Sequence, residues 1–425
     1  MPLSADLQRK LALANFTIPT AIQAEAIPHA LAGRDVLATA QTGTGKTLAF
    51  LVPMIERLLQ TSSRNPEALI LVPTRELAMQ VHEQYEKLRD KKLAPAALVI
   101  GGLAEKAQIQ ALRSGARVIV ATPGRLEDFL GRRLVRLEAV KTLVLDEADR
   151  MLDMGFLPAI RRIVAVLPRD RQTLCFSATL EASVAGLVND YMRKPVRIAQ
   201  GSISKPADTV ELHAFEVSLS EKSEVLRQLL YAEKGRTLVF ARTKRGTERL
   251  AKSLVRDGFT AAMIHGDRTQ SQRTGALAGF DAGRFKVLVA TDVASRGIDV
   301  QNIAHVINYD LPAIPEDFIH RVGRTGRAGL RGRASTLVAG AEVAELRVIE
   351  RALKLRITRK QLNGADRFVS DRPVRNTLPS RTLSAMAGEV FSLGWFFGTR
   401  VKPWSQFPRS FQICFKSSFE PRTSG

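Results

Sequence analysis

Five short runs in the first half of the chain leave no polar face: Ala68-Leu69-Ile70-Leu71-Val72, Ala97-Leu98-Val99-Ile100, Arg117-Val118-Ile119-Val120-Ala121, Thr142-Leu143-Val144-Leu145 and Thr173-Leu174-Cys175-Phe176. A strand this uniformly apolar must be covered on both sides, and longer stretches of helical period separate each run from the next. The alternation predicts a parallel, doubly wound α/β sheet, in which ligands gather beyond the carboxyl ends of the strands. Polar clusters stand at those ends: Pro73-Thr74-Arg75-Glu76, Gly101-Gly102, Thr122-Pro123-Gly124-Arg125, Asp146-Glu147-Ala148-Asp149 and Ser177-Ala178-Thr179.

Ahead of these runs, Asp35-Val36-Leu37-Ala38 reads as another buried strand, and Leu48-Ala49-Phe50-Leu51 opens a helical pattern. Between them lies Ala40-Gln41-Thr42-Gly43-Thr44-Gly45-Lys46-Thr47, in the strand, loop, helix order that a phosphate cradle needs. Gly43 and Gly45 let backbone N–H groups turn onto an anion, with Thr42 and Thr44 in the same loop. Lys46 can reach the outer phosphates and Thr47 can hold Mg²⁺. Ala40 stands where the generic pattern has Gly, so taken alone the loop also fits an ordinary connection. Upstream, in the stretch that starts at Phe16, Gln23 can both donate to and accept from an adenine edge; a helix-capping or solvated side chain is the commoner explanation of a single Gln.

A length of 425 residues allows more than one core. The small, polar, Pro-containing stretch at 200–208 reads as an interdomain linker, which divides the chain into a first domain at 1–203, a linker at 204–210, a second domain at 211–360 and a tail at 361–425. A second alternating set follows the linker, with strands expected at 237–240, 261–264, 286–290, 305–308 and 334–338. It has no phosphate loop, yet its strand ends carry Thr291-Asp292, Arg296-Gly297-Ile298-Asp299 and His320-Arg321-Val322-Gly323-Arg324-Thr325-Gly326-Arg327. The tail holds both Trp residues among many Phe, Ser and Arg, shows no sustained period, and is expected to be poorly ordered.

Charge points to the partner. With 63 Lys+Arg against 42 Asp+Glu the net charge is +21, which favours a polyanion, nucleic acid before membrane. Nine basic and four acidic residues in 361–425 account for +5, so the two domains keep +16. Cys175 and Cys414 are too few and too far apart for a disulfide framework or a zinc site, which fits a reducing compartment. The first residues lack the charged and apolar regions of a secretory signal, and 382–399 falls short of a spanning helix.

A phosphate grip also needs a metal carboxylate and a group to orient water. Asp146 suits Mg²⁺ and Glu147 can polarise the attacking water. Arg324 and Arg327 fit arginine fingers supplied from the second domain; a solvated basic loop or a nucleic-acid phosphate contact is the plainer alternative.

Taken together, Gln23 with Pro19-Thr20, AQTGTGKT at 40–47, PTRELA at 73–78, TPGR at 122–125, DEAD at 146–149, SAT at 177–179, ATDVASRGID at 290–299 and HRVGRTGR at 320–327 resemble the ordered motif set of the DEAD-box ATP-dependent RNA helicases. The family's own phosphate loop begins with Ala, which accounts for Ala40. LVFARTKRGTERLA at 238–251 and HGDRTQSQR at 265–273 look most like the bacterial RhlE-like subgroup. The resemblance spans about residues 3–360 and implies two tandem RecA-like domains that use ATP and Mg²⁺. It implies adenine binding by Gln23 in its Phe16 context, phosphate and metal binding by Lys46 and Thr47, and ribose binding by Asp299 beside Gly297. Asp149, Ser177, Thr179 and His320 would couple nucleotide state to domain closure. Pro73, Thr74, Arg75, Gly102, Thr122, Gly124, Arg125, Thr243 and Thr291 would hold RNA, mostly by its backbone and without reading sequence. Preference for RNA would then rest on 2′-OH contacts.

The family implies a cytoplasmic monomer acting away from membranes, with protein partners of the ribosomal or RNA-decay kind. One departure is expected to matter. An adenine-packing aromatic usually precedes the Gln motif, but Leu3-Ser4-Ala5-Asp6-Leu7 aligns just after it, so adenine binding is expected to be weaker. The tail matches nothing in the family. Two rival readings remain at this point, a DNA helicase of the same superfamily and an ATP-gated RNA clamp with little unwinding.

Overall fold

The computed structural model describes residues 3–40, 44–178, 182–200, 209–292, 300, 302–326 and 330–360. The predicted tail, most of the linker, and the candidate residues Thr42, Gly43, Thr179, Gly297, Asp299 and Arg327 lie outside the described residues.

The first half runs α1 (Ala5–Leu13), α2 (Ala21–Leu31), β1 (Val36–Ala40), α3 (Lys46–Leu59), β2 (Ala68–Leu71), α4 (Arg75–Leu88), β3 (Ala97–Val99), α5 (Glu105–Arg113), β4 (Val118–Ala121), α6 (Pro123–Gly131), β5 (Thr142–Leu145), α7 (Ala148–Asp153), α8 (Leu157–Ala165), β6 (Gln172–Ser177), α9 (Ala182–Tyr191) and β7 (Val196–Gln200). The second runs β8 (Val210–Glu216), α10 (Lys222–Ala232), β9 (Arg236–Phe240), α11 (Lys244–Arg256), β10 (Ala261–Ile264), α12 (Gln270–Asp281), β11 (Val287–Ala290), β12 (Ile303–Asn308), α13 (Pro315–Val322), β13 (Gly332–Val338), α14 (Glu342–Leu353) and β14 (Thr358–Lys360).

Among the described residues these strands form two seven-stranded sheets, ordered β3-β4-β2-β5-β6-β1-β7 and β10-β11-β9-β12-β13-β8-β14. Every pairing is parallel. Adding seven to each number of the first order gives the second, so the two domains share one topology.

Both faces of each sheet are packed, which is why the runs are continuous. In the first sheet Val36, Ala38 and Val144 enter the core on one face, while Leu37, Leu143 and Leu145 enter that on the other. The second repeats this with Leu238 and Leu288 against Val239 and Val289. Strands β7, β8 and β14 were not predicted, for one physical reason. β7 and β14 are edge strands with exposed Arg197 and Arg359, and β8 is only partly buried and is interrupted by Glu211 and His213. Edge and near-edge strands need no unbroken apolar run.

Candidate active site

The loop after β1 closes onto α3 through Gly45, which has φ +92 at the helix N-cap. A Cβ there would overlap the Gln23 amide, so the turn requires glycine. Gln23 is itself buried; its Oε1 accepts from the Thr20 N–H at 2.9 Å and its Nε2 donates to Gly45 O at 2.9 Å. It therefore caps α2 and braces the phosphate loop at once. Phe16 packs, half-buried, against the same core. Lys46 opens α3 and donates from Nζ to Ala40 O at 2.9 Å, across the mouth of the loop, with the half-buried Thr47 beside it.

The second domain shows what becomes of this position without glycine. β8 is the counterpart of β1, and Lys222 opens α10 as Lys46 opens α3. The intervening Val217-Ser218-Leu219-Ser220-Glu221 has no Gly, and Lys222 Nζ is neutralised by Glu342 at 2.6 Å. Its charge is spent inside the protein.

Asp146 follows β5 and its Oδ1 accepts from the Glu147 N–H at 3.0 Å. Burial pushes the Asp146 carboxyl up to about 7 against the pull of the Lys46 ammonium, and the Glu147 carboxylate adds to the rise. Glu147 sits at φ +53, in the left-handed region, with Oε2 buried and without a hydrogen-bond partner among the described residues. Strain and an unsatisfied buried oxygen in one residue are typical of a group held for chemistry. No cluster of three or more His, Cys, Asp or Glu among the described residues could hold a metal unaided. A cation bound by Asp146 and Thr47 would take its other ligands from phosphate and water, as Mg²⁺ does.

Asp149 ties this corner to the next strand: its Oδ2 accepts from the Ala178 N–H at 2.9 Å, beside the fully buried Ser177. Arg150, next in α7, reaches the other domain, with Nη1 3.0 Å from Asp317 Oδ1 in α13. His320 and the buried Arg324 line the crevice around this pair, together with Asp292 and Phe240. Arg321 is held by both Asp292 oxygens and Asp310 O, and lies over the Phe240 ring at 4.9 Å. That fixes α13 to the end of β11, where Thr291 lies.

The candidate RNA contacts follow the C-terminal ends of strands β2, β3, β4, β9 and β11. Thr74 Oγ1 accepts from Leu77 N–H at 3.2 Å and Thr243 Oγ1 from Gly246 N–H at 3.0 Å, so each caps its own helix. Thr122 N-caps α6 with Gly124 exposed beside it, and Pro73 and Thr291 are buried at strand ends. Arg75 lies over the Gly101-Gly102 turn; Gly102 has φ +80, and a Cβ would strike the guanidinium. Arg125 is engaged by Asp128 at 3.0 Å and Glu105 at 3.3 Å. A second bridge joins the domains close by: the buried Glu76 accepts from Gln270 Nε2 at 3.0 Å and Arg273 Nη2 at 2.8 Å. Glu76, Asp292 and Arg321 stood in the strand-end polar clusters without being given a site role, and Arg150, Gln270, Arg273 and Asp317 were given none either. Adjacency to candidate residues could have marked Glu76, Arg150, Asp292 and Arg321, but nothing of that kind points to Gln270 and Arg273.

A phosphate loop in one domain, and a second, topologically equal domain joined to it by the buried Arg150–Asp317 and Glu76–Arg273 bridges, define a two-domain protein of the nucleotide-binding kind. Comparisons name the kind. Residues 20–187 match the DEAD/DEAH box helicase family and 221–329 the helicase conserved C-terminal domain. The chain is 41% identical over 368 residues to the DEAD-box ATP-dependent RNA helicase CshA of Bacillus licheniformis, covering 86% of this chain and 75% of that one. It is 40% identical to CshA of Bacillus subtilis, covering 90% and 78%. Among solved structures, S. cerevisiae Dbp5 bound to RNA and ADP BeF3 matches at 32% identity with TM-score 0.77, over 84% of this chain and 94% of that one. A DEAD box protein from Methanococcus jannaschii, 40% identical over 85% and 98%, gives 0.51. The chain belongs to the DEAD-box ATP-dependent RNA helicases.

Proposed function

We propose that this helicase hydrolyses ATP only when RNA and nucleotide together draw its two domains shut, and that closure separates short RNA duplexes or remodels RNA–protein complexes. The observation that carries this is the Arg150–Asp317 bridge, which joins the helix that begins after Glu147 to the helix that bears His320 and leads into Arg324. The fold comparison supports it. The Dbp5 chain, which carries RNA and a nucleotide analogue, agrees with this fold at TM-score 0.77.

In this reading Gln23, with Phe16, selects adenine, and Thr42, Gly43, Thr44, Gly45 and Lys46 hold the phosphates. Gly297 and Asp299 hold the ribose, Glu147 orients and deprotonates the attacking water, and Arg324 and Arg327 stabilise the transition-state charge. Mg²⁺ would be held by the Asp146 carboxylate and the Thr47 hydroxyl, where it would neutralise phosphate charge. Asp149, Ser177, Thr179 and His320 couple the nucleotide to closure. The RNA set, Pro73, Thr74, Arg75, Gly102, Thr122, Gly124, Arg125, Thr243 and Thr291, grips the sugar-phosphate backbone. A strand bent there cannot stay paired. ATP and RNA then raise each other's affinity.

The proposal extends to the boundaries at 203, 210 and 360, to the RhlE-like subgroup carried by 238–251 and 265–273, and to a cytoplasmic monomer with ribosomal or RNA-decay partners. No helix among the described residues is long and apolar enough to cross a membrane. Hydrolysis assayed with RNA, with DNA and with neither tests the core of the reading. RNA alone should stimulate; equal rates in all three would refute it.

A further inference from the structure

Helix α11 starts at the RNA-contact residue Thr243 and buries Thr247, Leu250, Ala251 and Leu254. Opposite that face stand Arg245, Arg249, Lys252 and Arg256, all exposed. Their spacings of four, three and four residues keep them within about 60° of one another around the helix, in a row about 16 Å long. Like charges three and four apart repel, so such a row costs helix stability unless something balances it.

Little in the protein does. Five basic residues face one acid in α11, Glu248, which stands 3.3 Å from His265 and 3.8 Å from Lys252. Arg245, Arg249 and Arg256 make no ion pair among the described residues. Several surface arginines elsewhere are matched, Arg132 by Glu105, Arg162 by Glu127, Arg227 by Glu224 and Asp257, and Arg359 by Glu350, while others such as Arg64, Arg113 and Arg136 make no ion pair among the described residues but do not form such a row. The row is also continuous at Thr243 with the proposed RNA groove.

We propose that this face of α11 is a second RNA track, four cations that follow the phosphates of strand or duplex leaving the groove past Thr243. The track rests on the RNA reading above and extends its footprint down the flank of the second domain. It reads no sequence, since phosphate contacts carry none. Its effect is to hold a long RNA near the groove while the domains open and close.

The test compares the full chain with its Arg245→Gln/Arg249→Gln/Lys252→Gln/Arg256→Gln variant. Affinity is measured across a salt series, with a non-hydrolysable ATP analogue, for an oligonucleotide short enough to fill only the groove and for a long single strand. For the wild type, the log-affinity against log-salt slope on long RNA should be steeper by about 3 than on the short strand, at about 0.7 per phosphate contact. The variant should keep its short-strand affinity, which also reports that it is folded, and lose the extra slope and the length advantage. Arg249→Gln/Arg256→Gln should lose half of each. Unchanged long-RNA affinity and slope in the variants would overturn the track, including the case in which the row serves an acidic protein instead. A wild type that binds neither RNA would be failure of the RNA reading itself.

Discussion

Asp317→Asn removes one charge from the bridge between α7 and α13. Arg150 Nη1 and Asp317 Oδ1 are 3.0 Å apart, with side chains only 2% and 9% exposed. Arg150 Nε is buried without a hydrogen-bond partner among the described residues. With the domains apart both groups are hydrated, so the substitution costs little in that state; with the domains joined it strands a guanidinium in a dry seam. Breaking a buried pair from one side costs about 3–5 kcal/mol. Water can enter a domain seam, so the low end applies, and about 3 kcal/mol lowers the closure constant about 150-fold. RNA must make up that deficit by mass action. Hydrolysis at saturating ATP, titrated with RNA, should show the half-maximal RNA concentration rising by one to two orders of magnitude. Arg150→Met should behave alike, and the double variant should lie closer to wild type than either single one, because no lone charge is left. A shift under twofold for Asp317→Asn, or additive effects in the double variant, would refute the reasoning.

Further expectations concern single groups. Glu147→Gln keeps the shape of the site but removes its base, so phosphate release should fall at least about 100-fold while analogue-dependent RNA binding, read by fluorescence anisotropy, persists. Gly45→Ala forces a side chain into φ +92 and onto Gln23; a strain of about 1–3 kcal/mol should weaken nucleotide binding about tenfold in calorimetry. His305 is buried, bonded to Ser335 Oγ at 2.8 Å, and burial, with Arg333 and His213, pushes its pKa down to about 3. The folded chain keeps it neutral while the unfolded chain takes up a proton below about 6.5, so stability is full above that pH and falls as pH drops towards 3. At pH 5 the loss is about 2 kcal/mol, and His305→Asn should show a correspondingly shallower acid decline in urea midpoints.

Central strands were legible because covering on both faces forces an unbroken apolar run, as in Ala68-Leu69-Ile70-Leu71. The phosphate loop was legible because Gly45 and Lys46 do work that few other residues can do. Strand β7 was not, since one exposed side lets Arg197 into the pattern. The bridges were missed for a different reason. Arg150, Asp317, Glu76 and Arg273 are ordinary surface types in a string of letters, and only contact between residues 167 or 197 positions apart gives them partners. Gln23 shows the opposite case. The structure has it capping α2, and the same amide braces the loop that an adenine reader would serve.

The central claim is that nucleotide and RNA share one closed state. Wild-type affinity for a short RNA strand, measured with and without a non-hydrolysable ATP analogue, tests it most directly. The account predicts at least about fivefold tighter binding with the analogue, a coupling of 1 kcal/mol or more, and the same factor when analogue affinity is measured with and without RNA. Equal affinities in both titrations would contradict it.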